Sequence, residues 1–181
     1  MVCAVRRMDG RRIVAAVEVR TARRGDLEVI LEVYNHYVGN SVATFDERPV
    51  SVESRVPWFE SFDSRGPHRL LVADGGGADG ICGYACSSRY RPHASFSETV
   101  ELTVYVSPTH TAQGVGTSLY ERLLEELNGE PVHRAVVGIA LPNDASVQLH
   151  RRFGFSEIGV FDEYAKKWGR YISSVWMQRA L

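Results

Sequence analysis

The sequence predicts an α/β protein: one domain built on a central twisted mixed sheet with helices on both faces. Three observations predict it. Strand-like segments follow one another through the middle of the chain and then alternate with helical ones. Ala135–Ala140 is a continuous apolar run, as expected of a central strand. Glu101–Tyr120 reads as an alternating strand, a short turn and a Gly-x-Gly element that opens a helix.

The elements follow in order. Val17–Thr21 alternates and reads as a first strand. Asp26 is placed to cap a helix on which Leu27, Ile30, Leu31, Tyr34 and Val38 recur at helical spacing, to about Gly39. A polar loop, Asn40–Asp46, holds one aromatic, Phe45. Ser51 or Glu53 opens a shorter helix carrying Val56, Trp58, Phe59 and Phe62. Arg69–Ala73 and Gly80–Cys86 read as strands joined by the glycine-rich loop Asp74–Asp79. A basic, aromatic loop, Arg89–His93, precedes a fourth strand, Thr99–Val106. The helix after it, Gly116–Asn128, sets Leu119, Leu123 and Leu127 on one face. The strand Ala135–Ala140, a helix over Asn143–Phe153 and strands at Ser156–Val160 and Tyr171–Met177 complete the chain.

At 181 residues the chain suits one domain with a real core. Its 44% hydrophobic and 24% charged content is ordinary for a globular protein. A net charge of −1 and the lack of a nucleic-acid-binding motif argue against a nucleic-acid partner, despite the Arg-rich start and the Arg89–His93 loop. No apolar run approaches the roughly 20 residues that span a bilayer. Residues 1–17 hold Arg6, Arg7, Arg11 and Arg12 without the apolar core of a targeting peptide, and read as a mobile extension ahead of a domain spanning 18–181. Of the three cysteines, Cys82 and Cys86 lie four apart in an apparent strand, and so on the same face. No second Cys/His pair stands at ligand spacing, so they read as buried free thiols in a reducing compartment, and no metal is expected.

Gln113-Gly-Val-Gly-Thr117 is a candidate phosphate site. A helix start offers unpaired N–H groups and a positive dipole end, and glycines let a diphosphate approach the backbone. The element is neither a Walker A loop nor a dinucleotide fingerprint, and a Gly-x-Gly is often only a turn. A second strand-to-helix junction, Leu141–Ser146, strengthens it, since parallel strands joined by a helix have neighbouring carboxyl ends where ligands collect. There Asn143 is either a helix cap or a group turned into the cleft. Glu101, on the strand before the glycines, is either a base or an arginine's partner. Glu98 reads as a surface acid.

These residues carry a resemblance. Thr111-Ala112-Gln113-Gly114-Val115-Gly116 resembles the pyrophosphate loop of the GNAT-superfamily N-acetyltransferases, Gln/Arg-x-x-Gly-x-Gly/Ala, with Thr111 in the place of Gln or Arg. Thr99–Ser107, Gly114–Tyr120, Leu141–His150, Tyr34–Tyr37, Thr44-Phe45 and Lys167–Gln178 are together similar to the phosphinothricin acetyltransferase family, which usually has Asp where Ser173 stands. The resemblance runs from about Glu18 to Arg179. It implies the GNAT acyltransferase fold, acetyl-CoA as co-substrate and transfer to the primary amine of an amino-acid-like acceptor: phosphinothricin, methionine sulfoximine or methionine sulfone.

The roles carried over are these. Glu101 is the general base that takes the proton of the ammonium. His150 protonates the departing thiolate or assists the base, or is a hydrogen-bonded structural histidine; Tyr120 is a weaker alternative acid. Val104, Tyr105 and Val106 face the pantetheine arm where two strands splay. Thr111, Ala112, Gln113, Gly114, Val115, Gly116 and Thr117 hold the diphosphate, with Asn143 and Ser146 on the far wall. Phe45 lines the acceptor pocket. Arg89, Arg91 and Phe96 precede the base and could receive an anionic acceptor, although a solvated basic loop is the alternative. A cytoplasmic homodimer is expected. A polyamine or protein N-terminus as acceptor, or an acetyl-CoA sensor without catalysis, is the competing reading.

Overall fold

The computed structural model describes residues 17–181, so the extension expected over 1–17, with Cys3, lies outside the described residues but for Val17. The elements are β1 (Glu18–Thr21), α1 (Leu27–Asn40), α2 (Val52–Phe59), β2 (Arg69–Asp74), β3 (Ile81–Arg89), β4 (Thr99–Val106), α3 (Val115–Leu127), β5 (Arg134–Ala140), α4 (Asp144–Arg152), β6 (Ser156–Lys167) and β7 (Arg170–Ala180). One seven-stranded sheet runs β1-β2-β3-β4-β5-β7-β6. Only β4 and β5 are parallel; every other neighbouring pair is antiparallel.

Each face of this α/β sheet has its own core. On one, α3 buries Leu119, Leu123 and Leu127 against Leu71, Ala85, Val100 and Val137, with Val147 and Leu149 of α4 at the margin. Each fully buried leucine contributes about 2 kcal/mol of apolar transfer. On the other, Ile30, Val33, Tyr34 and Val38 of α1 and Trp58 and Phe59 of α2 pack on Leu70, Val72, Tyr84 and Cys86.

Three local expectations change. Asp26 does not cap α1, because it closes a 3-10 turn, Arg24–Asp26, and is itself helical at φ −81° and ψ −15°. Its carboxylate reaches back instead, to the Arg20 guanidinium at 2.7 Å and the Arg23 N–H at 2.6 Å. Cys82 and Cys86 do not share a face: Cys82 packs with the α3 core and Cys86 with the α1 core. A bulge causes this. Ala73 faces Gly83 but Asp74 faces Ile81, so Cys82 is an extra residue and the alternation flips. Both are buried free thiols. Finally, β6 runs on to Lys167 through an irregularity between Phe161 and Ala165, where Glu163 has φ 47°. Ser173 fixes that bulge: its hydroxyl donates to Asp162 at 2.6 Å and accepts from the Glu163 N–H at 2.9 Å.

Candidate active site

β4 and β5 pair only from Thr99–Glu101 against Arg134–Val136, then part. On its other side β4 stays paired with β3 as far as Val106. The parted half of β4 therefore has one edge without a ladder partner, and a cleft of about 610 Å³ opens there. Leu102–Val106 form one wall and Val137–Ala140 the other. Glu101 lines the cleft where the strands separate.

The glycine element closes one end. Gly114 has φ 87° and open space where a Cβ would stand, so the bare backbone is approachable. Val115 begins α3 without a side-chain cap, leaving the first N–H groups of Gly114–Thr117 free at the cleft wall. Thr111 and Ala112 line the same end; the Gln113 side chain does not, because its amide donates to the Thr109 carbonyl at 3.0 Å. Across the cleft, Asn143 is indeed a helix cap: its amide oxygen accepts from the Ser146 N–H at 3.2 Å. Asn143 and Ser146 also line the cleft.

His150 reaches the cleft from α4 but is almost wholly buried. Its Nδ1 stands 2.7 Å from the Ser146 carbonyl, which can only accept, so Nδ1 carries the proton. Nε2 then accepts from the buried Tyr120 hydroxyl at 2.6 Å. Burial lowers the His150 pKa, which keeps the ring neutral, and raises that of Tyr120 well above its ordinary value.

On the acceptor side, Phe45 lines the cleft and is 43% exposed, its ring edge-on to Tyr164. The Arg89 guanidinium is turned onto the carbonyls of Arg91 and Pro92 in its own loop. Arg91 lies over the Tyr90 ring at 5.0 Å, and Phe96 packs edge-on against the same ring. None of these three reaches the cleft wall. Arg91 does reach Glu101 electrostatically. Burial raises the Glu101 carboxyl above its ordinary pKa, and the Arg91 charge opposes the rise.

The chain matches the acetyltransferase (GNAT) family model over residues 30–155. It belongs to this family. Over 167 residues this acetyltransferase is 44% identical to the phosphinothricin N-acetyltransferase of Streptomyces coelicolor, covering 92% of this chain and 98% of that one. It is 35% identical over 163 residues to the L-methionine sulfoximine/L-methionine sulfone acetyltransferase of Pseudomonas aeruginosa, covering 90% and 94%. Its fold matches the GNAT-superfamily phosphinothricin acetyltransferase of Sinorhizobium meliloti, solved with acetyl-CoA, at a TM-score of 0.85 and 28% identity, covering 92% and 89%. The protein is an acetyl-CoA-dependent N-acetyltransferase. The parted strands, bare Gly114 and uncapped α3 suit an extended thioester with a diphosphate at one end. Among the described residues, no group of three or more His, Cys, Asp or Glu could hold a metal.

Several residues of this acetyltransferase site carried no assigned role in the sequence. The Tyr37 hydroxyl donates to the Val106 carbonyl at 2.6 Å, tying α1 to the end of β4. Gly138 lines the cleft, and the Trp176 indole lies against it so closely that a Cβ there would meet the ring at 3.0 Å. Lys167 is 1% exposed and bonds the loop that carries Phe45. The sequence marks it in two ways without giving it a role: Lys166 and Lys167 are the chain's two lysines, and Lys167 opens the segment Lys167–Gln178 that carries part of the resemblance.

Proposed function

We propose that this acetyltransferase acetylates the primary amine of a small amino-acid-like acceptor of the phosphinothricin, methionine sulfoximine or methionine sulfone type, with Glu101 as general base. One observation carries the reading: a half-buried carboxylate stands in the cleft where β4 and β5 part, and burial raises its pKa against the opposing charge of Arg91. The two similar enzymes, named for the acetylation of phosphinothricin and of methionine sulfoximine and methionine sulfone, supply the acceptor class.

The chemistry follows from the residues. The acceptor arrives as an ammonium ion without a lone pair, and Glu101 takes its proton. The nitrogen then attacks the thioester carbon, the C–N bond forms and the C–S bond breaks, and the second proton that the nitrogen gives up ends on the departing sulfur, leaving the amide and free CoA thiol. Backbone N–H groups along the free edge of Val104–Val106 hold the pantetheine arm and stabilise the charge that develops on the carbonyl oxygen. Gly114–Thr117, with Thr111 and Ala112, hold the diphosphate; Asn143 and Ser146 face it. Gln113 shapes this loop through Thr109. Because both ring nitrogens of His150 are engaged, one of those bonds must open before the imidazole can protonate the thiolate. His150 therefore acts first by positioning Tyr120 and the Asn143–Ser146 turn.

Phe45 sets one wall of the acceptor pocket, and Arg91 is the arginine we assign to an anionic group of the acceptor. Arg89 and Phe96 shape the loop that presents it. Such an activity would inactivate toxic amino-acid analogues and confer resistance to them. We place the enzyme in the cytoplasm, where acetyl-CoA is made and the Cys82 and Cys86 thiols stay reduced. No described helix is long and apolar enough to cross a membrane. Exposed Ile158, Val160, Phe161, Tyr164 and Tyr171 on β6 and β7 support a homodimer.

A panel of amino-acid analogues, polyamines and peptides, read by thiol release, tests the acceptor class. Methionine sulfoximine, methionine sulfone or phosphinothricin should turn over fastest. Turnover confined to polyamines or peptides would remove this reading.

A further inference from the structure

The loop that follows α1 is tied to the scaffold at Ser41, Ala43, Thr44, Asp46 and Glu47. The carbonyls of Ser41 and Thr44 accept from the Lys167 ammonium at 2.7 and 2.8 Å. The Ala43 carbonyl accepts from the Tyr105 hydroxyl at 2.9 Å. The Tyr34 hydroxyl donates to Asp46 at 2.6 Å and so accepts from the Thr44 hydroxyl, also at 2.6 Å. The Glu47 carboxylate accepts from the Trp168 N–H at 2.7 Å. Val42 and Phe45 carry none of these bonds, and of the two it is Phe45 that stands in the cleft that also holds Glu101.

Lys167 is the unexpected member of this set. Its side chain is buried, yet no described carboxylate forms a salt bridge with it, and its ammonium is given to backbone carbonyls and to the Trp168 ring, 4.4 Å away. A lysine is seldom buried unless paired, so this one is held there by what it bonds. The turn after it is also specialised. Trp168 and Gly169 have φ of 49° and 77°, which builds a tight two-residue hairpin between Lys167 and Arg170. A tryptophan rarely adopts that conformation, and Glu47 of the same loop takes its N–H. The end of the β6–β7 hairpin therefore grips the Phe45 loop at three points.

We propose that Lys167, with the Trp168–Gly169 turn, is a positioning residue for the acceptor: it fixes where the Phe45 ring stands and so which amines fit beside Glu101. It touches neither substrate; it acts through the loop. The proposal rests on the reading of Phe45 as an acceptor-pocket wall.

The test is Lys167→Met in the full chain, which keeps an unbranched side chain and removes the three N–H donors. With methionine sulfoximine as the acceptor, KM should rise at least tenfold, kcat should stay within about threefold, and the acetyl-CoA Kd by calorimetry should stay within about twofold. An unchanged acceptor KM, or acetyl-CoA affinity lost in step with it, would overturn the proposal. If Lys167→Met does not fold, Glu47→Ala takes its place, since it frees only the Trp168 N–H at an exposed position. A rise of about threefold in acceptor KM alone is then expected, and no change overturns the proposal.

A second readout separates this idea from the acceptor assignment. If the wild-type enzyme turns over no amino-acid analogue, the acceptor class fails by itself. Hydrogen exchange then decides the role of Lys167. Faster exchange in Lys167→Met over residues 41–47, with 104–117 unchanged, supports the clamp, and equal exchange over 41–47 rejects it.

Discussion

Two opposed effects set the proton affinity of Glu101. Burial makes its charged form costly and raises its pKa, while the Arg91 cation lowers it. The base works only when deprotonated, so kcat/KM should fall as pH drops through that raised value. Removing Arg91 takes away the opposing charge and leaves burial alone. Arg91→Ala should therefore move the acid limb of the kcat/KM profile to higher pH, whatever it does to the height of the curve. A limb that stays in place would show that Arg91 and Glu101 are not coupled. At this scale the sequence is an uneven guide. Glu101 and the glycines are legible because their chemistry is local: an acid on a strand and a bare helix start. His150 is visible too, but its tautomer depends on Ser146 one turn away and on Tyr120 in another helix. Lys167 has no local chemistry at all, since its partners, Ser41 and Thr44, lie far off in the chain.

Most elements are legible from periodicity, and two of the three failures share one cause. The α3 stripe of Leu119, Leu123 and Leu127 and the apolar run of β5 lie where their patterns place them. Periodicity assumes unbroken registers, and two bulges break them. At Cys82 an extra residue swaps faces, so the two cysteines that alternation puts together end in different cores. Between Phe161 and Ala165 another irregularity hides the second half of β6, where Asp162 and Glu163 look like a loop. Asp26 fails differently: it is a good capping residue, but Arg20 on β1 offers its carboxylate a charged partner.

For the molecule as a whole, the strand–helix–strand run identifies β4 and β5 as a parallel pair, while the position of β7 between β5 and β6 is set by long-range pairing that no window of sequence contains. The same pairing leaves large apolar side chains exposed on β6 and β7. Phe161 and Tyr171 are 56% and 64% exposed on β6 and β7, and Ile158 and Val160 of β6 are exposed as well. Light scattering should give twice the 20.2 kDa chain mass, and Phe161→Glu should shift it towards the single-chain value. A wild-type mass of one chain would remove the homodimer.

The account turns on Glu101, and Glu101→Gln tests it most directly. The variant keeps the shape of the side chain and loses the base. Acetyl-CoA should bind with a Kd within about twofold of wild type, while turnover at neutral pH falls about 10²- to 10⁴-fold. The residual rate should climb with pH as more of the acceptor arrives already deprotonated. Unchanged turnover by a Glu101→Gln enzyme that still binds acetyl-CoA would contradict the account.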